Sequence, residues 1–382
     1  MKKTFAYAFQ ALVLVLAALP LVAQQPGNDR IAAVENGLSG SFTLEERMTH
    51  HGVPGVSIAV IENFELEWSK GYGVRDAVMG GTVDETTLFQ AASISKSFTA
   101  AVALALVEDG ILSLDRDVNE QLTSWRVPEN SLTREEKVTL RRLLSHSAGL
   151  TVSGFRGYAP DEPPPTILQI LDGMEPANSE PVRVFFVPGS DTQYSGGGYT
   201  VVQQLTEDVT GRRFPELAQD IVFRSVGMQH SSFAKPLPGE FAALTTSAHS
   251  RQGHPLPGHI FAQGGSGCCG LWTTAGDLAR FAASIQRAAR GDTTEFLAPE
   301  TVEIMLSPTN SNRVGLGVMF EQRGQATYFS HSGGNPPGFS CYLVAHVEDG
   351  YGAAVMTNSN NGASLYREVI QAIARVYEWE GY

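Results

Sequence analysis

Residues 90–98 read Gln90-Ala91-Ala92-Ser93-Ile94-Ser95-Lys96-Ser97-Phe98 and lead into a run from Thr99 to Val107 with scarcely a polar side chain. A run that is apolar on all sides predicts a helix buried at the centre of a domain. Ser93 and Lys96 are three residues apart, so on a helix they share one face, with hydroxyl beside amine. The stretch therefore predicts a Ser/Lys pair at the top of a rigid core element.

This Ser/Lys pair has two interpretations. Either Ser93 is a nucleophile whose proton is taken by Lys96, with desolvation lowering the pKa of the amine, or Ser93 is only a helix cap. Ser232 and Lys235 have the same spacing, but the following Pro236-Leu237-Pro238-Gly239 cannot continue a helix. We interpret that second pair as a chance occurrence.

The first 23 residues have the pattern of a secretory signal peptide. Lys2 and Lys3 precede a mostly apolar run to Ala23, which is short for a membrane span, and no cysteine lies near the cut. We therefore expect a periplasmic or secreted protein without a stable membrane anchor. Cleavage changes the net charge from −13 to −15, because 25 basic residues then face 40 acidic ones. Such an acidic chain is a poor partner for nucleic acid.

The sequence predicts neither a metal site nor a cofactor. Its three cysteines, Cys268, Cys269 and Cys341, lack metal-ligand spacing, and an odd count leaves at least one thiol unpaired. A bridge from Cys268 or Cys269 to Cys341 stays open. Gly265-Ser266-Gly267-Cys268-Cys269-Gly270 matches G-x-G-x-x-G but follows no clear strand, so we interpret it as a turn before a helix.

The order of predicted elements indicates an α/β fold. Residues 24 to about 36 are expected to form a loose leader. The predicted helices are Leu44 to His51, Leu140 to Leu150, Val201 to Thr210, Pro215 to Phe223, Thr274 to Ala289 and Ala363 to Trp379. The predicted strands are Val56 to Ile61 and Phe64 to Trp68 around a Glu62-Asn63 turn and ending at Gly71-Tyr72-Gly73, then Val314 to Phe320, Tyr328 to Ser330, Ser340 to Val347 and Gly352 to Met356.

We expect one domain over residues 24–382, after a signal peptide at 1–23. Both chain ends build one antiparallel sheet flanked by helices, from about 37–110 and 255–382. Residues 111–254 form a mainly helical insert.

Two glycine-rich motifs are candidate parts of a site. Tyr194-Ser195-Gly196-Gly197-Gly198-Tyr199 lets the backbone approach a ligand closely, and Tyr194 is either a general base or a buried tyrosine that bonds a carbonyl. His331-Ser332-Gly333-Gly334 lies between predicted strands, where a glycine-rich edge can pair with an extended substrate and aim N–H groups at an oxyanion.

Together these motifs resemble the serine β-lactamase-like, penicillin-binding-protein-like family. It includes class C β-lactamases, D-Ala-D-Ala carboxypeptidases, D-aminopeptidases and family VIII carboxylesterases. The resemblance depends on Val53-Pro54-Gly55-Val56-Ser57, Phe89 to Lys96, Leu143-Leu144-Ser145-His146-Ser147-Ala148-Gly149-Leu150, Pro188-Gly189 with Tyr194-Ser195, Gly270-Leu271-Trp272-Thr273-Thr274 with Asp277-Leu278-Ala279, and His331-Ser332-Gly333-Gly334.

The resemblance implies a β-lactamase/transpeptidase-like fold and a role for each motif. Ser93 would be acylated, Lys96 and Tyr194 would share the proton transfer, and the N–H groups of Ser93 and Gly334 would form the oxyanion hole. The implied reaction is acyl transfer to water without a metal or cofactor, on a small-molecule or short-peptide substrate. The oligomeric state stays open.

Two positions depart from the family pattern. The family commonly has Tyr-x-Asn, whereas this chain has Gly196 at the third position; β-lactamases have Lys-Thr-Gly where this chain has His331-Ser332-Gly333. Histidine is a weaker anchor than lysine for a substrate carboxylate, which favours an esterase or a D-amino-acid-type peptidase or amidase. We expect His331 either to stand at the pocket edge and bind a carboxylate as it becomes protonated between about pH 7.5 and 5.5, or only to hydrogen-bond a neighbouring backbone group. A β-lactamase or D-Ala-D-Ala carboxypeptidase is the alternative, and a sensor that binds without turnover is the third.

Overall fold

The computed structural model describes residues 26–158, 162, 164–256, 266–309 and 313–382. Its helices are α1 (Pro26–Glu35), α2 (Leu44–His51), α3 (Ser95–Glu108), α4 (Leu140–Leu144), α5 (Ile167–Asp172), α6 (Gly196–Thr210), α7 (Phe214–Ala218), α8 (Arg224–Val226), α9 (Gly239–Ala242), α10 (Ser266–Cys269), α11 (Ala275–Ala289), α12 (Pro299–Met305) and α13 (Gly362–Val376). Its strands are β1 (Gly55–Glu62), β2 (Glu65–Asp76), β3 (Gly80–Thr82), β4 (Phe89–Gln90), β5 (Trp272–Thr273), β6 (Met319–Arg323), β7 (Ala326–Asn335), β8 (Phe339–His346) and β9 (Gly352–Thr357).

The described strands form an antiparallel sheet of seven, in the order β3-β2-β1-β9-β8-β7-β6. β1 pairs with β2 on one side and with β9 on the other, so the first strand of the chain lies beside the last. Both ends of the chain thus build one sheet, which confirms the predicted architecture. β4 and β5 form a separate two-stranded pair that joins the segment before α3 to the segment before α11.

Helices cover both faces of the sheet because side chains alternate along each strand. In β1, Ile58 points into a core with Leu365 of α13, whereas Ala59 points into a larger core that contains α3 and α11. Phe98 of α3 stacks on Phe281 of α11 in this larger core, with ring centroids 4.1 Å apart. The sheet and α11 therefore support α3 from one side.

α3 is buried as predicted. Every residue from Ser95 to Leu106 is buried, including its polar side chains. Ser97 Oγ donates to the carbonyl of Gly317 at 2.7 Å. Gly317 has φ +85°, and a Cβ there would lie 2.3 Å from the Cβ of Ala100, so only glycine fits this contact. α3 is thus a rigid support for the residues at its N-terminus.

Near the N-terminus, the structure differs from the prediction in three places. Residues 24–36 were expected to be loose, but Pro26–Glu35 is helical. The hairpin turn lies at Asn63 and Phe64 instead of Glu62 and Asn63, because both turn residues have positive φ, the geometry of a type I′ turn. β2 also continues through Gly71 to Asp76; a Cβ on Gly71 would lie 2.6 Å from the Val83 carbonyl oxygen, so this glycine admits a close neighbour without ending the strand.

Later elements also differ in their bounds. The strand predicted over Tyr328 to Ser330 extends over Ala326–Asn335, so His331 to Gly334 lie within β7 and not between strands. The helix predicted from Leu140 to Leu150 ends at Leu144, since His146 adopts a left-handed φ of 58°. The helix predicted from Val201 begins at Gly196, where Ser195 Oγ accepts a cap hydrogen bond from Gly198 N at 2.9 Å. The strand predicted over Val314 to Phe320 is found at Met319–Arg323.

Two predictions concern the domain organisation. The signal peptide at 1–23 lies outside the described residues. The division between a sheet-containing part and a helical insert at 111–254 stays a prediction. Among the described helices, none is long and apolar enough to cross a membrane.

Candidate active site

Ser93 lies in a turn of 3-10 helix, Ala92–Ile94, immediately before α3. Ala92 has φ +50°, a costly conformation for a non-glycine residue that recurs at functional sites. Ser93 is half-buried, whereas Lys96 is only 1% exposed. Lys96 Nζ donates to Ser93 Oγ at 3.3 Å. The predicted pair is therefore close in space, with the hydroxyl accessible and the amine buried.

Lys96 has further hydrogen-bond acceptors on one distant residue. Its Nζ lies 3.0 Å from the carbonyl oxygen of Cys268 and 3.3 Å from the sulfur of Cys268. Desolvation by burial lowers the pKa of Lys96, but the thiol of Cys268 and the phenol of Tyr194 outweigh it, and the pKa is raised overall. The expected lowering of the lysine pKa is therefore wrong: Lys96 is an ammonium.

Tyr194 lies just before α6 and faces Lys96. Lys96 Nζ is 4.9 Å from the centroid of the Tyr194 ring, and the Tyr194 side chain is half-buried. The structure thus brings together the predicted catalytic residues Ser93, Lys96 and Tyr194.

His146 holds Tyr194 in place, a role that sequence reasoning missed. The two ring centroids are 4.3 Å apart. Ser195 N donates to His146 Nδ1 at 3.1 Å, and Gln193 N donates to the His146 carbonyl at 2.8 Å. Burial, together with the positive charge of Lys96, holds the pKa of His146 well below its usual value, so its ring is neutral. His146 belongs to a motif that carried the family resemblance, and that was the available signal.

The predicted glycine-rich edge is the second half of β7. β6 pairs with β7 only as far as Ser330, so no described strand pairs with this edge from His331 to Asn335. A Cβ on Gly333 would lie 2.1 Å from the Ala91 carbonyl oxygen, whereas one on Gly334 would meet nothing within 4 Å. β7 therefore passes directly against the turn that carries Ser93, and open space lies beside Gly334.

Side chains fix this approach of β7 to the turn at Ala92–Ile94. Asn335 Nδ2 donates to Gln90 Oε1 at 2.6 Å, and Cys341 Sγ donates to the Gln90 carbonyl at 3.2 Å. Gln90 precedes the turn, and Asn335 ends β7. Neither Gln90 nor Asn335 was predicted as a site residue, since their contact links positions 245 residues apart.

His331 differs from the expectation of a titrating anchor at the pocket edge. It is 3% exposed, and its Nδ1 donates to the Ser332 carbonyl at 2.8 Å. Burial and the charge of Lys96 lower the pKa of His331 to about 4. The imidazole is therefore neutral from pH 5.5 to 7.5, and the expected protonation in that range is wrong. Its Nε2 is buried without a hydrogen-bond partner.

Within the described residues, the second Ser/Lys pair forms no helical pair and the cysteines form no disulfide. Ser232 forms an isolated bridge with Trp272 and lies on no helix, as expected for the second Ser/Lys pair. In the G-x-G-x-x-G match, Gly265 lies outside the described residues, and Ser266–Cys269 form α10, so the expected turn is wrong for those four residues. All three cysteines are buried free thiols, so no bridge joins Cys268 or Cys269 to Cys341. The described residues contain no cluster that could hold a metal ion.

The chain is similar to known proteins over half of its length or more. Penicillin-binding protein 4 of Amycolatopsis lactamdurans is 27% identical over 354 residues, covering 86% of this chain and 88% of that protein. Unguisins hydrolase ungD of Aspergillus violaceofuscus is 30% identical over 209 residues, which is 51% of this chain but only about a third (34%) of that relative. D-amino acid amidase of Ochrobactrum anthropi SV3 superposes with a TM-score of 0.70 at 22% identity, covering 92% of this chain and 98% of that one.

The family model described as Beta-lactamase matches residues 43–378. That range includes the turn at Ala92–Ile94, Tyr194 and the edge of β7 from His331 to Asn335. The fold is thus β-lactamase/transpeptidase-like. The chain belongs to the β-lactamase family, whose members are serine hydrolases that act on amide or ester bonds.

Proposed function

We propose that this protein is a secreted serine hydrolase that forms an acyl-enzyme on Ser93, with small esters or D-amino-acid-type amides and peptides as substrates. The observation that carries the proposal is the 3.3 Å contact between Lys96 Nζ and the accessible Ser93 Oγ, beside the open edge of β7. Nucleophile, ammonium and strand edge then meet at one place.

In the proposed reaction Tyr194 transfers the proton, and Lys96, which is already protonated, supplies positive charge. Ser93 Oγ attacks the carbonyl carbon while its proton passes through the Tyr194 hydroxyl to the leaving alcohol or amine. Lys96 remains an ammonium and stabilises the negative charge that develops on Ser93 Oγ. The backbone N–H groups of Ser93 and Gly334 stabilise the carbonyl oxygen, and water then hydrolyses the ester bond to Ser93 by the reverse relay.

The environment of β7 favours substrates without a carboxylate. His331 occupies the position where β-lactamases have a lysine, and its ring is buried and uncharged because its pKa is about 4. It supplies no positive charge for a substrate carboxylate at neutral pH. A neutral ester or amide does not need that charge, whereas penicillins and cephalosporins carry a carboxylate.

A side-by-side assay tests the substrate class. We expect kcat/KM for a short-chain p-nitrophenyl ester or a D-aminoacyl amide to exceed that for a chromogenic cephalosporin. The inactive control is Ser93→Ala. A much larger kcat/KM for the cephalosporin would assign the protein to the β-lactamases or carboxypeptidases instead. Binding of all three without turnover, with no labelling of Ser93, would assign it a sensor role.

Export is the second part of the proposal, and it depends on the basic and then apolar pattern of residues 1–23. Expression of the full chain in a Gram-negative host should give a periplasmic protein whose mature N-terminus follows Ala23. N-terminal sequencing measures the cut. An uncut chain retained in the cytoplasm would argue against export and leave the proposed chemistry unaffected.

A further inference from the structure

We propose that Cys268 is a positioning residue for Lys96, taking the place of the side-chain amide that relatives carry at the third position of Tyr-x-Asn. Its sulfur and its carbonyl oxygen hold the lysine amine against Ser93. This inference rests on the proposed function, because it assigns Cys268 a part in the acylation of Ser93.

The contacts of Lys96 are the first observation that supports this role. Its Nζ lies 3.3 Å from Ser93 Oγ, 3.0 Å from the Cys268 carbonyl oxygen and 3.3 Å from Cys268 Sγ. An ammonium has three N–H donors. The Tyr194 side chain also hydrogen-bonds to Lys96. Cys268 makes two of these contacts, more than either Ser93 or Tyr194, so it has the largest share in determining where the amine points.

The space beside Gly196 is the second observation that supports this role. A Cβ on Gly196 would lie 3.1 Å from Cys268 Sγ, and 3.2 Å from both a ring carbon of Phe155 and the Ser153 carbonyl oxygen. The sulfur therefore borders the volume that any side chain at position 196 would enter. Gly196 thus has no side chain at a place where Cys268 supplies a polar atom.

The segment that carries Cys268 is hydrogen-bonded to α3, which contains Lys96, and to α6, which follows Tyr194. Thr99 Oγ1 of α3 donates to the Gly267 carbonyl at 2.6 Å, and Gly267 N donates to Gln203 Oε1 of α6 at 2.9 Å. Leu271 N donates to Ser95 Oγ at 3.1 Å. Hydrogen bonds on both sides of Cys268 thus fix its backbone relative to Lys96, as a positioning role requires.

The charge of the thiol supports the same role. A hydrogen bond from Cys269 and the positive charges of Lys96 and Lys235 outweigh desolvation and lower the pKa of Cys268 to about 6. At neutral pH the sulfur is then a thiolate beside the Lys96 ammonium. Titratable groups face this pair from every neighbouring element: Tyr194, Tyr199, His146, Cys269, Lys235 and His331.

The test measures the rate of Ser93 labelling by a fluorophosphonate between pH 5 and 10, because this rate needs no knowledge of the substrate. We expect Cys268→Ala to lower it roughly 10- to 100-fold, the range for loss of a hydrogen bond to a charged group. In the wild type Lys96 should stay protonated up to pH 10. In Cys268→Ala the fall in rate on deprotonation of Lys96 should begin at lower pH, since an anion that raises the lysine pKa is gone. Cys268→Ser should recover part of the rate but keep the shifted profile.

Cys341→Ala is the matched control, because Cys341 is an equally buried free thiol that bonds a backbone carbonyl and not Lys96. Because Cys341 also helps to hold β7 beside Ser93, this control is compared through the position of its pH profile and not through its rate, and that position should match the wild type. A purely structural Cys268 would instead change the free energy of unfolding and leave the pH profile in place. If Cys268→Ala does not fold, Cys268→Ser carries the same test through its profile.

A rescue experiment completes the design. Gly196→Asn alone should slow labelling, because its Cβ lies close to the sulfur, to Phe155 and to the Ser153 carbonyl. In the Cys268→Ala background, Gly196→Asn should give a higher rate than Gly196→Ala, which makes the same Cβ contacts without an amide. Wild-type rate and profile in Cys268→Ala, or a Gly196→Asn rate no higher than that of Gly196→Ala in that background, would overturn the positioning role. Failure of the wild-type enzyme to label at Ser93 would instead overturn the proposed function itself.

Discussion

The ring of His146 packs against the ring of Tyr194, with centroids 4.3 Å apart, and the backbone N–H groups on either side of Tyr194 bond to His146. His146, which follows α4, thus fixes both the side chain and the backbone of Tyr194, which precedes α6. The neutral state of His146 is part of this arrangement, because its Nδ1 must accept the N–H of Ser195.

We expect His146→Asn to lower kcat roughly 10-fold or more while the free energy of unfolding changes much less than in His146→Ala. Asparagine tolerates the left-handed φ of 58°, and its Oδ1 can accept from Ser195 N, but it cannot stack on Tyr194. Steady-state kinetics and urea unfolding measure the two effects. His254→Ala, at an exposed histidine, is the control. An unchanged kcat in His146→Asn would show that the ring contact has no part in the reaction.

Ser93→Ala should abolish covalent labelling by a fluorophosphonate and reduce kcat by ~10⁴-fold or more, since the nucleophile and its partners act as a unit. Lys96→Ala should cost nearly as much, and the double variant little more, because each change disables the same step. Mass spectrometry of the labelled protein locates the modified residue. Ser232→Ala, which changes the second Ser/Lys pair, should label normally; loss of labelling there would mean that the wrong pair was chosen.

Between pH 5.5 and 7.5, we expect His331 to cause no pH-dependent change in the ratio of two rate constants. These are kcat/KM for a carboxylate-bearing substrate and kcat/KM for a neutral ester. With a pKa of about 4, His331 is neutral throughout that range, and its protonation begins only below about pH 5. Parallel pH profiles of the wild type and His331→Gln measure this. A step in the ratio near pH 6.5 that disappears in His331→Gln would contradict burial of the neutral ring.

Glu368 of α13 should make the stability of the fold depend on pH below about 4.5. Desolvation raises its pKa, but hydrogen bonds from Arg47 and His51 of α2 lower it to about 2. A carboxyl with a depressed folded-state pKa stabilises the fold fully above its unfolded pKa, and that contribution is lost as pH falls through the folded pKa.

Glu368→Gln should therefore lower the free energy of unfolding by about 2 kcal/mol at pH 6 and by progressively less toward pH 2. Urea unfolding at a series of pH values gives the difference. Glu303→Gln, at an exposed position, serves as the comparison and should show no such trend. A destabilisation by Glu368→Gln that stays constant down to pH 2 would mean that the ion pair contributes nothing to the pH dependence.

Local pattern was enough to predict the framework of the site. The three-residue spacing of Ser93 and Lys96 and the apolar run that follows predicted a buried helix with both side chains at its top, because i and i+3 positions share a face in any helix. Alternating strands at both ends of the chain predicted one sheet. These inferences hold because they depend only on the periodicity of neighbouring residues.

Tertiary structure alone decided the charges and the partners at the site. Cys268 is 172 residues from Lys96 in sequence, yet its sulfur contributes to raising the lysine pKa that burial by itself would lower. His331 looked like a titrating anchor, but burial beside the Lys96 ammonium makes it neutral. A pKa depends on desolvation and on the charges within a few ångströms, and distant segments supply both. The order of residues along the chain therefore specified which side chains are present, and the packing of distant segments specified their protonation states.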